Sequence, residues 1–185
     1  MKRFALMMML MVGTAALFAQ APKGWKERVD RSTSASDPDA PGPVKFMAMG
    51  GGFHFVNPQA AVFWNPANTA TGAYTLKGTF VLQKPSGHTN YYGLIFGGSD
   101  LEGAQQKYTY FLVAQDGTFL VKKPGADGKS TNALEVRVAA NKIDYVVNGS
   151  VVNSMPKGDV KTDGVYGIRV NHLLEVMVDG FSVAK

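Results

Sequence analysis

Short runs of alternating apolar and polar residues, separated by turn-forming residues, dominate the chain. The clearest run is Tyr74–Gln83, where every second residue from Tyr74 to Leu82 lies on one face of an extended strand and mostly polar residues lie on the other. A period of two is typical of a half-buried antiparallel strand. The pattern therefore predicts β-structure here, with one face turned towards a core.

Tyr91–Lys123 is the stretch around which we expect the rest of the chain to be organised. It contains three consecutive strand-like runs, Tyr91–Phe96, Tyr108–Ala114 and Thr118–Lys123, and an Asp-Gly turn at 116–117 joins the last two. Aromatic and β-branched residues fill these runs, and Gly, Asp and Ser bound them, as in strands and hairpins. Because such a meander cannot bury its apolar side chains alone, a second layer must come from elsewhere in the chain.

Further strand-like runs lie on both sides of the meander. Before it they are Phe46–Met49, Phe53–Val56 and Ala61–Trp64, with breaks expected at 50–52, 57–58 and 65–66. After it they are Leu134–Val138, Lys142–Val147, Ser150–Met155, Val165–Val170, Leu173–Val178 and Phe181–Val183. A hairpin is expected at Asn148-Gly149, since both residues accept positive φ. Ten to twelve short strands without a convincing helix predict an all-β fold, a two-sheet antiparallel β-sandwich of the jelly-roll type.

The first nineteen residues are predicted to be a signal peptide. Lys2 and Arg3 supply positive charge, Phe4–Val12 is apolar, and small residues up to Ala19 suit cleavage there. The apolar run is too short for a membrane span, and no later run approaches that length. We therefore expect a secreted or periplasmic protein with no membrane span once the signal peptide is removed.

Residues 20–45 are predicted to be an extended or partly disordered arm ahead of a jelly-roll domain at 46–185. The segment is rich in Ser, Asp and Pro and poor in apolar residues. Trp25 is the exception, and we expect it to dock on the domain as an edge strand or plug.

Composition excludes several classes of function. The chain has no cysteine, which rules out disulfides, thiolate chemistry and cysteine-based zinc sites. Its formal net charge is +5, but the basic residues are scattered, and Lys122-Lys123 is the densest pair. Because binding to phosphates needs clustered Lys and Arg, no nucleic-acid partner is predicted.

The strand and turn motifs resemble a known group, the concanavalin A-like lectin/glucanase jelly rolls. The motifs that carry the resemblance are Tyr92–Gly98, Tyr108–Val113, Asp116-Gly117, Leu134–Val136, Asn148-Gly149, Asp163–Ile168 and Asp179–Val183. Within that superfamily the stretch from Phe46 to Lys185 is similar to exported bacterial domains grouped with the 3-keto-disaccharide hydrolase domain. The resemblance implies an extracytoplasmic jelly roll with a concave sheet that faces carbohydrate.

No catalytic motif is evident. Glycosidases of this fold carry Glu-x-Asp-x-x-Glu or a similar string, which is absent here, and two carboxyls roughly 5–10 Å apart are required. Glu175 and Asp179 would lie too far apart on one strand, at about 13 Å. Asp100 and Glu102 have better spacing, but they lie in a loop where solvated carboxylates are ordinary.

No metal site or cofactor is predicted either. His54, His88 and His172 are far apart in sequence and are expected to be isolated turn or surface residues. Relatives of this fold bind calcium through loop Asp and Asn side chains, so Ca²⁺ is possible, but the Asp-Gly pairs here are explained as turns.

Aromatic and polar residues near loops and strand ends are the candidate ligand contacts. Aromatic rings stack on apolar sugar faces, while Asn and Arg bond to hydroxyl groups. The candidates are Trp64, His88, Asn90, Tyr91, Tyr108, Tyr110, Arg137 and Arg169, with the two arginines expected on the same concave sheet. We therefore expect a non-catalytic module that binds carbohydrate or another extracellular ligand. The alternatives are a glycoside hydrolase acting on a keto-disaccharide or glucan, and a structural or adhesion module.

Overall fold

The computed structural model of the protein describes residues 21–114, 130–158 and 160–185. Within these residues the chain forms twelve β-strands, and none of it is helical. Accordingly, the described part of the chain contains no helix with the length and hydropathy to span a membrane. The strands are β1 (Lys26–Asp30), β2 (Lys45–Met49), β3 (Gly52–Asn57), β4 (Ala60–Ala70), β5 (Tyr74–Lys84), β6 (Tyr91–Ser99), β7 (Lys107–Ala114), β8 (Ser130–Val138), β9 (Lys142–Val147), β10 (Ser150–Pro156), β11 (Gly164–Val170) and β12 (Leu174–Ala184).

The strands form two antiparallel sheets. One sheet has five strands in the order β1-β4-β11-β6-β7, and the other has seven in the order β10-β9-β8-β5-β12-β3-β2. Neighbours such as β5 and β12, or β11 and β4, are distant in sequence, as expected where strands cross between the layers of a sandwich. The predicted fold, a two-sheet antiparallel β-sandwich of the lectin-like jelly-roll type, is confirmed.

Alternation along each strand places the core between the sheets. In β5 every second residue from Tyr74 to Leu82 is buried, as the sequence predicted. Tyr92 on β6 of the opposite sheet packs against Phe80, with ring centroids 5.9 Å apart. The side chains that point the other way are thereby free to form the outer surfaces of the sandwich.

The segment before β2 contributes to the fold. Lys26–Asp30 pairs with β4 as the edge strand β1 of the five-stranded sheet. The ring of Trp25 packs against Phe46, Phe53 and Phe181 at centroid distances of 5.4, 4.7 and 5.8 Å. Trp25 was predicted to dock on the domain as an edge strand or plug, and its ring does dock on the core, while the edge strand β1 begins at the next residue, Lys26.

Two predicted breaks fall inside continuous strands. β4 runs through Asn65-Pro66, and its pairing with β11 shifts register there, so the proline lies in an irregular section that needs no ladder hydrogen bond. β12 runs through Asp179-Gly180, where a bulge with Gly180 at φ 62° replaces the predicted turn. Both predictions of a strand end were wrong, because turn-forming residues also occur at bulges.

Other predicted turns are found, and some lie outside the described residues. Asn148 and Gly149 have φ of 50° and 81° and join β9 to β10, as predicted for the hairpin. The predicted strand Thr118–Lys123 and the predicted Asp-Gly turn at 116–117 lie outside the described residues.

Candidate functional site

The candidate site lies on the outer face of the five-stranded sheet. On β7, the side chains of Tyr108 and Tyr110 lie on the outer face, whereas the side chain of Phe111 lies on the opposite face and points into the core. On β11, Arg169 alternates in the same way with the buried Ile168. Between these strands β6 carries Gly93, whose register pairs it with Arg169 on one side and Leu112 on the other. A Cβ atom on residue 93 would clash with the carbonyl oxygen of Phe111, so only glycine fits there. The sheet surface between Arg169 and Leu112 therefore carries no side chain at this position.

Arg169 is the centre of a hydrogen-bonded cluster. Its Nη1 donates to Asp30 Oδ2 at 2.6 Å and to the hydroxyl of Tyr108 at 2.9 Å, while its Nε donates to Asn171 Oδ1 at 3.2 Å. Asp30 also lies 3.6 Å from the Nε of Arg28, its neighbour on β1. We call Asp30, Tyr108, Arg169 and Asn171 the arginine cluster. Three side chains from β1, β7 and β11 and one from the residue after β11 are thus held in one arrangement before any ligand arrives.

Burial further favours the neutral form of the tyrosine in this cluster. It raises the pKa of the Tyr108 hydroxyl above its ordinary value of 10.0, while the positive charge and hydrogen bond of Arg169 oppose that shift. Tyr108 is therefore neutral at physiological pH, and its hydroxyl oxygen accepts from Arg169 while its own proton remains available to an acceptor.

The arginine cluster borders a cavity of about 570 Å³. It is lined by Asp30, Tyr91, Tyr108, Tyr110, Phe111, Leu112, Tyr145, Asn153, Met155, Arg169 and Asn171. The polar end is the arginine cluster, and the other end passes β7, the outermost described strand of this sheet, to Tyr145 and Met155 of the seven-stranded sheet. A volume of this size suits a small ligand, and the combination of apolar walls with a few convergent polar groups is typical of binding pockets.

Two tyrosines present their rings to solvent at this cavity. Tyr110 is 60% exposed, which is unusual for a large aromatic side chain, and Tyr91 is 37% exposed. The rings of Tyr110 and Tyr108 lie 6.4 Å apart and are inclined at 56°. Four of the predicted contact residues, Tyr91, Tyr108, Tyr110 and Arg169, are therefore brought together by β6, β7 and β11.

Trp64 does not line the cavity. It is 2% exposed and lies on the same outer face in a small buried cluster with Val62, Ile95 and Leu101. Leu101 belongs to the loop between β6 and β7, which folds back over this part of the sheet. The ring of Trp64 is covered by that loop and supports the sheet, so it offers no stacking surface.

The loop carboxylates Asp100 and Glu102 hold this loop in place. Asp100 Oδ2 accepts from the amide of Gln105 at 3.1 Å, and Glu102 forms an ion pair of 2.6 Å with Lys26. Arg28 also donates to the carbonyl of Gly103 at 2.7 Å. Neither carboxylate lines the cavity, so their contacts explain them as parts of the loop.

Arg137 lies on the other sheet. It belongs to β8 of the seven-stranded sheet and donates to Glu135 at 2.8–2.9 Å, whereas Arg169 belongs to the five-stranded sheet. The prediction that both arginines line the same sheet was wrong. Alternation shows which residues share a face of one strand, but it carries no information about which sheet that strand joins.

His88 and His172 come together, contrary to the prediction that all three histidines are isolated. Their Nε2 atoms are 3.3 Å apart, and Asp37 Oδ1 lies 2.8 Å from the first and 3.2 Å from the second. We call Asp37, His88 and His172 the histidine cluster. His54 remains apart from it and bonds to Glu175 at 2.9 Å.

Asn90 connects the histidine cluster with the arginine cluster. Its Nδ2 lies 3.0 Å from the Nε2 of His88, and its Oδ1 accepts from Asn171 at 3.5 Å. His88 and Asn90 therefore lie beside the cavity and not in its lining. Asp30, Asp37 and Asn171 were not among the site residues predicted from the sequence. Asn171 could have been found, because Asn171-His172 follows the strand-like run Val165–Val170 directly and places polar residues at a strand end.

The comparisons with known proteins establish the fold. The carbohydrate-binding module CBM66 from Bacillus subtilis has a TM-score of 0.57 and 12% identity, over 88% of this chain and 96% of that chain. A Bacillus subtilis protein of unknown function with a galectin-like fold has a TM-score of 0.50 and 16% identity, over 87% and 89% of the two chains. No protein-family model and no curated protein matches the sequence. At these identities the likeness shows a lectin-like β-sandwich.

Proposed function

We propose that this protein is a non-catalytic module that binds carbohydrate in the cavity on the outer face of its five-stranded sheet. The observation that carries the proposal is the pairing of exposed tyrosine rings with the preorganised arginine cluster in one cavity. A sugar presents apolar C–H faces and many hydroxyl groups, and such a site meets both kinds of surface.

Each part of the site has a distinct role in this proposal. Tyr110 and Tyr91 supply the stacking surfaces. Arg169 and Asn171 donate hydrogen bonds to sugar oxygens, and Asp30 accepts from sugar hydroxyls. Because Asp30, Tyr108 and Asn171 already fix the guanidinium group, little side-chain entropy remains to be lost when a ligand binds.

The shared fold supports the proposal at a coarser level. One protein of similar fold is named a carbohydrate-binding module, and another has a galectin-like fold. Because a fold hosts many functions, the residues of the cavity carry the argument and the fold adds to its plausibility. Export through the signal peptide proposed at residues 1–19 would bring the module to the periplasm or the outside of the cell, where polysaccharides occur.

The cavity gives little support for a hydrolase acting on a keto-disaccharide or glucan. Among its described lining residues, Asp30 is the one carboxylate, and it is bound to Arg169 and close to Arg28. Hydrolysis by the usual route needs a second carboxyl group roughly 5–10 Å away, across the bond to be cleaved. We therefore favour binding over hydrolysis.

A glycan array combined with polysaccharide pull-downs of the purified protein tests this function. Calcium is added in one series and left out of the other, and each bound glycan is analysed for cleavage products. We expect intact glycans to be retained. Released sugar would overturn the non-catalytic proposal, and the absence of any retained glycan would favour a structural or adhesion module.

The matched variants are Arg169→Ala and Arg137→Ala. Both remove an arginine from an outer strand face, but Arg169 lines the cavity and Arg137 lies on the other sheet. We expect the first variant to lose glycan retention and the second to keep it, with circular dichroism showing that both are folded. Equal retention by the two variants would place the ligand elsewhere.

A further inference from the structure

The histidine cluster is built from three connections that are distant in sequence. Asp37 lies between β1 and β2, His88 between β5 and β6, and His172 between β11 and β12. One potential ligand atom from each of them lies within 4.8 Å of the others. The cluster has no part in the proposed stacking and hydrogen bonding of the cavity, so its convergence calls for a separate explanation.

The spacing of the three ligand atoms matches the coordination shell of a small divalent metal ion. The separations are 2.8 Å for His88 Nε2 to Asp37 Oδ1, 3.2 Å for His172 Nε2 to Asp37 Oδ1 and 3.3 Å between the two Nε2 atoms. Zinc binds imidazole nitrogen and carboxylate oxygen at about 2.0–2.2 Å, so tetrahedral ligand atoms lie about 3.3 Å from one another. The three atoms are thus already arranged at about the right separation.

Hydrogen bonding alone does not account for all the polar neighbours of His88 Nε2. The Nε2 of an imidazole carries either one hydrogen or one lone pair, so it makes one hydrogen bond in the ring plane. His88 Nε2 has three polar neighbours, which are Asp37 Oδ1 at 2.8 Å, Asn90 Nδ2 at 3.0 Å and His172 Nε2 at 3.3 Å. A cation between the two nitrogens and the carboxylate would satisfy both lone pairs and the negative charge together.

The surroundings of His172 are those of a metal-binding histidine. Its Nδ1 lies 3.0 Å from Asp39 Oδ1, and its side chain is 8% exposed. The other oxygen of Asp39 accepts from the amide of Ser32 at 2.8 Å, which fixes the carboxylate. A carboxylate on Nδ1 holds the ring with a proton on that nitrogen and turns the lone pair of Nε2 towards the metal, an arrangement that recurs around bound zinc.

We propose that Asp37, His88 and His172 bind one divalent transition-metal ion, with Zn²⁺ as the best match. Two imidazole nitrogens and one carboxylate oxygen suit Zn²⁺ and its first-row neighbours, whereas Ca²⁺ takes oxygen ligands. The side chains of Asp37 and His88 are 45% and 44% exposed, so an ion can enter from solvent and water can complete its shell. The site is independent of whether the cavity binds a glycan.

Binding of the ion has a structural consequence for the cavity. It ties together the connections that carry Asp37, His88 and His172. Asn90, two residues after His88, bonds to Asn171, which in turn accepts from Arg169. The ion therefore stabilises the connections that carry Asn90 and Asn171, and these two residues support Arg169 at the polar end of the cavity.

The test is a titration of the purified protein with ZnCl₂ after removal of metal by EDTA and dialysis. Isothermal titration calorimetry measures stoichiometry and affinity, and the visible absorption of added Co²⁺ reports the coordination geometry. We expect one Zn²⁺ per chain, an intense tetrahedral Co²⁺ spectrum and a rise in the melting temperature on adding Zn²⁺. Failure of the folded protein to bind Zn²⁺ would overturn the proposal and leave a hydrogen-bonded cluster.

The variants separate this site from adventitious binding. His88→Ala and Asp37→Ala remove ligands at half-exposed positions, so folding is expected to survive, and each should weaken Zn²⁺ binding more than about tenfold. Asp39→Asn, which acts through His172, is expected to weaken it by about 10–100-fold. His54→Ala removes the histidine outside the cluster and should leave the affinity unchanged. Zn²⁺ binding that survives both ligand substitutions would contradict the assignment.

Discussion

The guanidinium group of Arg169 and the carboxylate of Asp30 lie 2.6 Å apart although 139 residues separate them in sequence. Arg169 is on β11 and Asp30 is the last residue of the edge strand β1, with β4 between them. The side chains of both are less than a third exposed. This ion pair closes one side of the cavity, so binding of ligand and attachment of the N-terminal segment depend on the same contact.

Arg169→Lys is expected to weaken glycan binding at least about tenfold. A lysine ammonium is a compact charge and cannot bond in a fixed plane to Asp30, Tyr108 and Asn171 together. A hydrogen bond to a charged group contributes about 1.5–3 kcal/mol, and 1.4 kcal/mol corresponds to a factor of ten in affinity. Calorimetry with a glycan retained in the array measures the change.

The control for this substitution is Arg137→Lys on the seven-stranded sheet. Its side chain is 44% exposed and pairs with Glu135 at the surface, and it is not part of the cavity lining. Affinity should be unchanged in this variant. An equal loss of glycan affinity in both variants would show that replacing either arginine with lysine weakens binding, and would contradict a binding site at Arg169.

Tyr110→Ala tests the stacking surface without disturbing the fold. Since the ring is 60% exposed, we expect the free energy of unfolding to change by no more than about 0.5 kcal/mol. Loss of a stacked ring is expected to lower glycan affinity about threefold to tenfold, from the 0.5–1.5 kcal/mol of an aromatic contact. Val151→Ala, which removes another exposed apolar side chain on β10, is the matched control and should leave affinity unchanged.

The sequence was sufficient to predict the fold, because hydrophobic alternation is a local property. Tyr74–Gln83 shows this best, since its predicted faces match the observed burial along β5. Alternation with apolar neighbours pointed to Arg169, whereas Tyr108 and Tyr110 were selected as aromatic residues near loops and strand ends. Where turn-forming residues fall in bulges, as at Asp179-Gly180, the local pattern predicted an end that the neighbouring strand prevents.

Contacts between distant segments were beyond the sequence pattern. Asp30 was missed because β1 lies in a Ser- and Asp-rich segment and gains its strand conformation from pairing with β4. The histidine cluster was missed because its members lie on three different connections. The positions of such loops depend on the order of strands in the sheets, which alternation does not determine.

Trp25→Ala is expected to destabilise the domain by about 2–4 kcal/mol, slightly less than the cost of truncating a fully buried aromatic residue. The ring packs against Phe46, Phe53 and Phe181, so its removal leaves a gap at the edge of the core. Denaturant unfolding measures the change, and Lys23→Ala in the same segment is the exposed control, expected within about 0.5 kcal/mol. A loss below about 1 kcal/mol for Trp25→Ala would mean that the N-terminal segment is not an integral part of the fold.

Alkaline pH is expected to destabilise the protein through Tyr74. Burial, and then the negative charge of Asp163, raise the pKa of this hydroxyl well above the 10.0 of an unfolded tyrosine, and the hydroxyl donates to the carbonyl of Thr162 at 2.7 Å. The unfolded chain therefore releases this proton first, so stability is intact below about pH 10 and falls as the pH rises above it. Tyr74→Phe is expected to cost about 0.5–1.5 kcal/mol at neutral pH, from the lost hydrogen bond, and to show a shallower decline between about pH 10 and pH 11. The check is the free energy of unfolding measured across this range, with the exposed Tyr110→Phe as control; an unchanged slope in Tyr74→Phe would show that other groups cause the decline.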